Sequence, residues 1–150
     1  MASISVQPQD FDISAELTAL RGTNHNIGAI VTFTGTVRDI NASLKSMSLE
    51  HYPGMTEKEL QRIAEEAEAR WPLLACRIIH RYGTLAPGDN IVFVITASPH
   101  RKAAFEAAEF LMDFLKSKAP FWKKETTTEG HGSWVDAKES DEAALKRWIP

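Results

Sequence analysis

Cysteine is almost missing from this sequence: Cys76 stands alone among 150 residues. A single thiol excludes an internal disulfide and a cysteine-rich zinc site. Long apolar runs are missing too, and no stretch approaches the roughly 20 residues that cross a bilayer as a helix. Residues Met1 to Asp10 carry no basic segment followed by an apolar one, so no secretory signal is expected and the chain reads as cytoplasmic. Nor is there an excess of positive charge. Lys and Arg number 17 against 20 Asp and Glu, a net charge of −3, which argues against a chain built to coat nucleic acid or an anionic membrane. Any anion binding must come from a local cluster of Lys and Arg. No glycine-rich phosphate loop of a known type and no Ser-His-Asp order stands out. No pair of histidines has metal-ligand spacing, so neither a metal nor a cofactor is expected.

What is present is ordinary for a globular protein. Hydrophobic residues make up 43% and charged residues 25%, which places the chain among soluble folded domains rather than disordered ones. Its length suits one domain, 1–150, able to bury roughly two-thirds of its unfolded surface without a metal or disulfide staple.

The pattern along the chain mixes strands and helices without a regular βαβ alternation. Ser3 to Val6 alternates as an edge strand. Asp12 or Ser14 can cap a short helix that Gly22 ends. Ile27 to Arg38 is rich in β-branched residues and predicts a long, largely buried strand, with Gly35 marking a bulge or a close backbone approach. Asp39 to Lys45 reads as a loop and Ser46 to Tyr52 as a strand. After Pro53-Gly54, Thr56 and Glu59 predict a capping box for a helix to Trp71, with Leu60, Ile63, Ala64 and Ala67 on its buried face. Strands follow at Cys76 to Tyr82 and Ile91 to Ala97, separated by a turn at Pro87-Gly88-Asp89. Ser98-Pro99 is a helix start, and that helix runs to about Lys118. Phe121 to Thr126 is extended, Gly130-His131-Gly132 a turn, Trp134-Val135 a short strand and Asp141 to Trp148 a terminal helix. The fold class is α+β with mixed or mostly antiparallel pairing.

Three places can carry chemistry. Lys116 lies in the last turn of a helix, where a lysine ordinarily just complements the helix dipole. Pro120, however, forces a turn that folds Phe121-Trp122 back and brings Lys123 toward Lys116. Lysines crowded beside aromatic surface can act as bases, acids or nucleophiles. At the other end of the same helix, Ser98-Pro99-His100-Arg101 sets two side chains that can add positive charge where backbone N–H groups point outward, which suits a phosphate or carboxylate. These residues also read as plain exposed first-turn side chains, but first turns favour Asp and Glu, so the pair is electrostatically adverse there. Arg38, at a strand exit, is ordinary surface unless it converges with the other two. His51 and His80 sit in apolar, strand-like settings and read as satisfied core histidines. Cys76, within a strand and with no neighbouring base or helix N-terminus, reads as structural.

Four stretches together closely resemble the molybdopterin synthase large subunit family: Val31-Thr32-Phe33-Thr34-Gly35-Thr36-Val37-Arg38, Leu49-Glu50-His51-Tyr52-Pro53-Gly54-Met55, Ser98-Pro99-His100-Arg101, and Lys116 through Glu125. The likeness runs in order from about Gly28 to Trp148. It departs in small ways, with Pro99 at a variable position and Lys118 where some relatives would carry arginine. The resemblance implies an α/β hammerhead with an additional small antiparallel sheet. It implies a sulfurtransferase of molybdenum cofactor biosynthesis, which adds two sulfurs as a dithiolene to cyclic pyranopterin monophosphate. Sulfur would come from the C-terminal Gly-Gly thiocarboxylate of a small ubiquitin-like partner, within a heterotetramer built on a homodimer of large subunits. Lys116 and Lys123 match the catalytic lysines, and Arg38, His100 and Arg101 match the group that holds the substrate's phosphate and pterin. Thr36, Val37, Lys124 and Glu125 flank these positions and are expected to add substrate contacts.

A sulfur-inserting enzyme whose lone cysteine is inert must receive sulfur from elsewhere, which agrees with a thiocarboxylated partner. Two rival classes remain open on the residues alone. One is a module that docks a ubiquitin-like tail without catalysis; the other is a single-strand RNA binder that stacks bases on Phe121-Trp122.

Overall fold

The computed structural model describes residues 2–39, 44–130, 132–135 and 139–149. Element order is β1 (Ala2–Gln7), α1 (Ile13–Arg21), β2 (Ala29–Thr36), β3 (Leu44–His51), α2 (Met55–Arg70), β4 (Ala75–Arg81), β5 (Gly83–Leu85), β6 (Asn90–Ser98), α3 (Arg101–Ser117), β7 (Phe121–Thr127), β8 (Gly132–Val135) and α4 (Glu139–Lys146). The strands form two four-stranded sheets, ordered β1-β4-β6-β2 and β5-β3-β7-β8. Only β1 with β4 is parallel among the described pairings; the others are antiparallel. The α+β class holds, and so does the second, smaller antiparallel sheet. His131 lies outside the described residues.

The first sheet explains why β6 reads as an unbroken apolar run. Val92 and Val94 pack with Leu60, Ile63, Phe110, Leu111 and Phe114 under α2 and α3. Phe93 and Ile95 face the other way, with Ile79, Phe11 and Leu20. With both faces covered, polar residues have no place in the strand's interior. Thr96 is the exception, and its buried hydroxyl donates to the Ala104 carbonyl of α3 at 2.7 Å.

Four expectations need correction. The strand predicted from Ile27 to Arg38 is shorter and lies at the sheet edge. Phe33 is 39% exposed, and one flank of β2 has no neighbouring strand among the described residues. No full capping box forms at Thr56 and Glu59; only its reciprocal half is present, two residues earlier. Helix α2 starts at Met55, and the Gly54 N–H donates to Glu57 Oε2 at 2.6 Å. Gly54 suits that place because its φ is +85°. Helix α3 starts at Arg101 rather than at Ser98-Pro99, with His100 in the cap position and no side-chain cap. Ser98 Oγ instead bonds the backbone of His100, accepting from its N–H at 3.1 Å. Lastly, the loop predicted to Lys45 is shorter, since Leu44 and Lys45 already belong to β3, and the short strand β5 was not anticipated.

Other expectations hold. Asp12 Oδ1 caps α1 by accepting from Ala15 N–H at 3.0 Å. The Gly35 bulge is real: the β2–β6 register shifts between Gly35 and Thr36. A Cβ at Gly35 would sit 2.7 Å from Val92 Cγ1 and 3.3 Å from the Phe33 ring, so glycine there leaves room for those two side chains.

Thr56 does more than start a helix. It is fully buried, and its Oγ1 accepts from Tyr52 N–H at 2.9 Å while donating to the Pro120 carbonyl at 3.0 Å. One hydroxyl therefore fastens the start of α2 to the turn between α3 and β7. Thr56→Val keeps the shape but leaves both backbone groups unpaired. We expect it to lower stability by about 1–3 kcal/mol in urea unfolding with an unchanged m value. A loss under about 0.5 kcal/mol would show that the two groups find other partners.

Candidate functional site

Helix α3 ends where its chain meets Pro120. Lys118 N–H and Ala119 N–H both bond the Phe114 carbonyl, at 2.8 and 3.2 Å, and Phe121 N–H returns to the Ala119 carbonyl at 2.8 Å. That tight reversal launches β7 back beside β3, with His51 opposite Phe121 and Leu49 opposite Lys123. Strand alternation then points Phe121 and Lys123 to one face and Trp122 and Lys124 to the other. Lys116, Ser117 and Lys123 line one cavity of about 130 Å³, whose wall also includes Gly35, Thr36 and His80. The turn at Pro120 thus does what the sequence suggested and sets the two lysines around a common space.

The remaining predicted residues are distributed differently. Arg38 is exposed, two residues beyond β2, and the end of β2 it follows lines the cavity. His100 and Arg101 are exposed at the far end of α3. From Arg101 to Lys116 the helix rises roughly 1.5 Å per residue, which separates them by about 22 Å. Within one chain the His-Arg pair and the lysines therefore do not meet. The first turn of α3 contains no acidic residue, which leaves its N-terminal N–H groups and cations open to an anion. Lys124 faces away from the cavity, with its Nζ 5.9 Å from the centre of the Trp134 ring. Glu125 is half-buried on β7 opposite Met47 and is not in the cavity wall. Thr36 lines the cavity, and Val37 is buried behind it.

Two residues of the site were not singled out from the sequence. Ser117 Oγ is the buried side-chain atom, among those described, that has no protein hydrogen-bond partner, and Ser117 lines the cavity. His80 is buried, as a core histidine should be, but it also forms part of the cavity wall. Its ring stacks on Phe121 with centroids 3.7 Å apart and planes 17° apart. Its Nδ1 lies 2.8 Å from the Arg81 carbonyl. Burial first, and then the charges of Lys123 and Lys116, push its pKa down from 6.5 to about 4. The strand period would have revealed the placement: Cys76, Ile78 and His80 share the face of β4 that the helices cover. His51, half-buried, stacks against Tyr82 at 4.2 Å and faces Glu57 at 3.7 Å.

Cys76 is buried, and burial together with the charge of Glu68 pushes its thiol pKa up to about 12. Such a thiol is neither a nucleophile nor a sulfur donor at neutral pH. Among the described residues no three His, Cys, Asp or Glu side chains gather as metal ligands. No helix among them is long and apolar enough to cross a membrane.

Comparison with known proteins gives consistent matches. The family model described as MoaE protein matches residues 6–118. The molybdopterin synthase catalytic subunit of Mesorhizobium japonicum is 56% identical over 147 residues, spanning 97% of this chain and 92% of that one. The solved molybdopterin biosynthesis MoaE protein from Burkholderia ambifaria MC40-6 is 55% identical with a TM-score of 0.85, covering 99% of this chain and 98% of that one. The solved molybdopterin synthase from Staphylococcus aureus is 32% identical with a TM-score of 0.79, covering 87% of this chain and 95% of that one.

The buried ring of His80 makes stability depend on pH. Its folded-state pKa of about 4 lies below the ordinary 6.5, so between those values the unfolded chain binds the extra proton. The neutral ring's contribution is present above pH 6.5 and is lost as pH falls toward 4, by about 3 kcal/mol in all. Denaturant titrations at steps from pH 7 to pH 4 should show that loss in the wild type. His80→Phe should lack it; an equal pH dependence in both proteins would mean that the ring is protonated when folded.

Proposed function

The chain belongs to the MoaE protein family, and on that premise we propose that it is the catalytic subunit of a molybdopterin synthase. It transfers sulfur from the C-terminal thiocarboxylate of a small ubiquitin-like partner to cyclic pyranopterin monophosphate, twice, and so builds the dithiolene of molybdopterin. The observation that carries this reading is the cavity that Lys116 and Lys123 share, in a chain whose one thiol is buried and inert. Two cations at the mouth of such a cavity attract an anionic chain end, and their ammonium groups can give and take protons while a C–S bond forms. Each transfer forms one C–S bond to a pterin carbon as a C–O bond there breaks, and water then cleaves the resulting acyl C–S bond, supplying the oxygen that leaves the partner with an ordinary carboxylate and the sulfur on the pterin. The free thiol Cys76 fits work in the cytoplasm, and residues 1–150 act as one domain.

The substrate's phosphate is held by Arg38, His100 and Arg101, and Thr36 on the cavity wall adds a contact, whereas Lys124 and Glu125 stand off that wall and flank the site. Because His100 and Arg101 sit about 22 Å along α3 from Lys116, each complete site takes them from a second copy of the chain. Strand β2 supports that arrangement. It is an edge strand that runs from Ala29, opposite Ser98 at the anchor end, to Thr36, opposite Asn90 at the lysine end. A two-fold-related copy across this edge would exchange the two ends.

Two experiments test the reading. Lys116→Ala, mixed with thiocarboxylated partner and precursor, should form the oxidised fluorescent pterin product at least about 100-fold more slowly, with folding and partner binding intact. Near-normal turnover would remove Lys116 from the chemistry. In the second, Lys116→Ala and Arg101→Ala chains carrying different tags are co-purified as mixed dimers. One intact site in each mixed dimer should restore about half of wild-type activity, although each variant alone is inactive. No recovery would place the anchor and the lysines in the same chain.

A further inference from the structure

We infer that His80 is a positioning residue of the sulfur-transfer site, a neutral acceptor whose Nε2 holds a lysine ammonium within the cavity. The inference rests on the reading of that cavity given above. Location comes first. His80 occupies an inward position of β4, beside Ile78 and under the helices, where an aliphatic side chain would pack without cost. An imidazole there needs a polar reason.

The ring's own bonds supply the next step. A carbonyl oxygen only accepts, so the 2.8 Å contact with Arg81 assigns the proton to Nδ1 and leaves Nε2 with a lone pair. Phe121, stacked at 3.7 Å, fixes the plane of the ring. The residue that clamps the acceptor is thus two positions from Lys123 on the same strand, and both line the cavity.

The charged groups around it are Lys116 on α3, Lys123 on β7, His51 on β3 and Arg81 on β4 itself. The Arg81 guanidinium is directed to the carbonyls of Pro8 and Asn90. Burial and the two lysines keep the ring neutral throughout the working range. It therefore cannot become a third cation that would repel the ammonium groups. A carboxylate in its place would hold a lysine proton tightly, and a hydrocarbon would offer no acceptor on this wall of the cavity. A neutral imidazole orients the lysine without locking its proton.

The test compares wild type, His80→Phe and His80→Gln in the reconstituted reaction with thiocarboxylated partner and precursor, measuring kcat, KM for the partner and the pH–rate profile. Phe keeps the stacking and removes the acceptor; Gln sets a carbonyl oxygen close to the place of Nε2. His80→Phe should lower kcat by about 10- to 100-fold with little change in KM. Loss of an acceptor disfavours the ammonium, so the pH limb that reports a lysine should move down by about one unit. His80→Gln should recover most of both effects. If His80→Phe does not fold, His80→Met takes its place in the comparison. An unchanged kcat and pH profile would overturn the inference. So would a loss of rate that Gln does not rescue and that leaves the pH limb in place, since that pattern belongs to packing alone. Absence of product with the wild type would instead overturn the functional reading itself, and this inference with it.

Discussion

The hydroxyl of Thr56 is the joint on which the site depends. It accepts from the Tyr52 N–H and donates to the Pro120 carbonyl, so it fixes the exit of β3, the first turn of α2 and the reversal after α3 at once. Pro120 supplies no N–H of its own, and its fixed φ makes the reversal stiff. Phe121 then lands on His80, and Lys123 turns into the cavity that Lys116 already borders. Without that joint β7 would still pair with β3 and α3 would still pack through Leu111, Phe114 and Leu115, but the turn between them would lose its tie to the start of α2.

A second constraint is the length of α3. A straight helix of 17 residues cannot bring its two ends together, and this sequence puts a basic side chain at each, Arg101 and Lys116. At the N-terminal end His100 and Arg101 stand where the helix dipole is already positive, which no stability argument favours. At the C-terminal end Lys116 is electrostatically welcome. On the proposed reading the adverse end is the one that takes the anion, and the distance between the ends calls for a second copy of the chain. Strand β2, the edge strand of its sheet among the described residues and carrying the exposed Phe33, runs between those two ends.

Much of this was legible in the residues. Hydrophobic periodicity found the buried faces of α2 and α3, and the apolar run of β6 announced a strand covered on both sides. Gly35 marked its bulge and Pro120 its turn. What misled were local signals that tertiary context outweighs. Thr56 looks like a helix cap, but burial gives its hydroxyl a longer-range task. Ser98-Pro99 looks like a helix start, but sheet pairing keeps Ser98 in β6 and delays the helix to Arg101. The β-branched content of β2 predicted burial, yet burial depends on which strands stand beside it, and no window of sequence contains that. For the site, the lysines and the anion-binding residues were visible one by one. Their separation along α3 was implicit in the residue count. The role of His80 was hidden because a core histidine and a cavity histidine share the same apolar neighbours in sequence.

The central claim is that this chain positions and protonates but contributes no sulfur of its own. Its only thiol is buried, and its pKa is pushed up to about 12. Loading the partner's thiocarboxylate with isotopically heavy sulfur, and weighing the dithiolene product by mass spectrometry after a single round of both transfers, tests this directly. The account predicts that both sulfurs of the product carry the label, with Cys76 left unmodified. A product containing unlabelled sulfur, or one that disappears on Cys76→Ala in a folded protein, would contradict it.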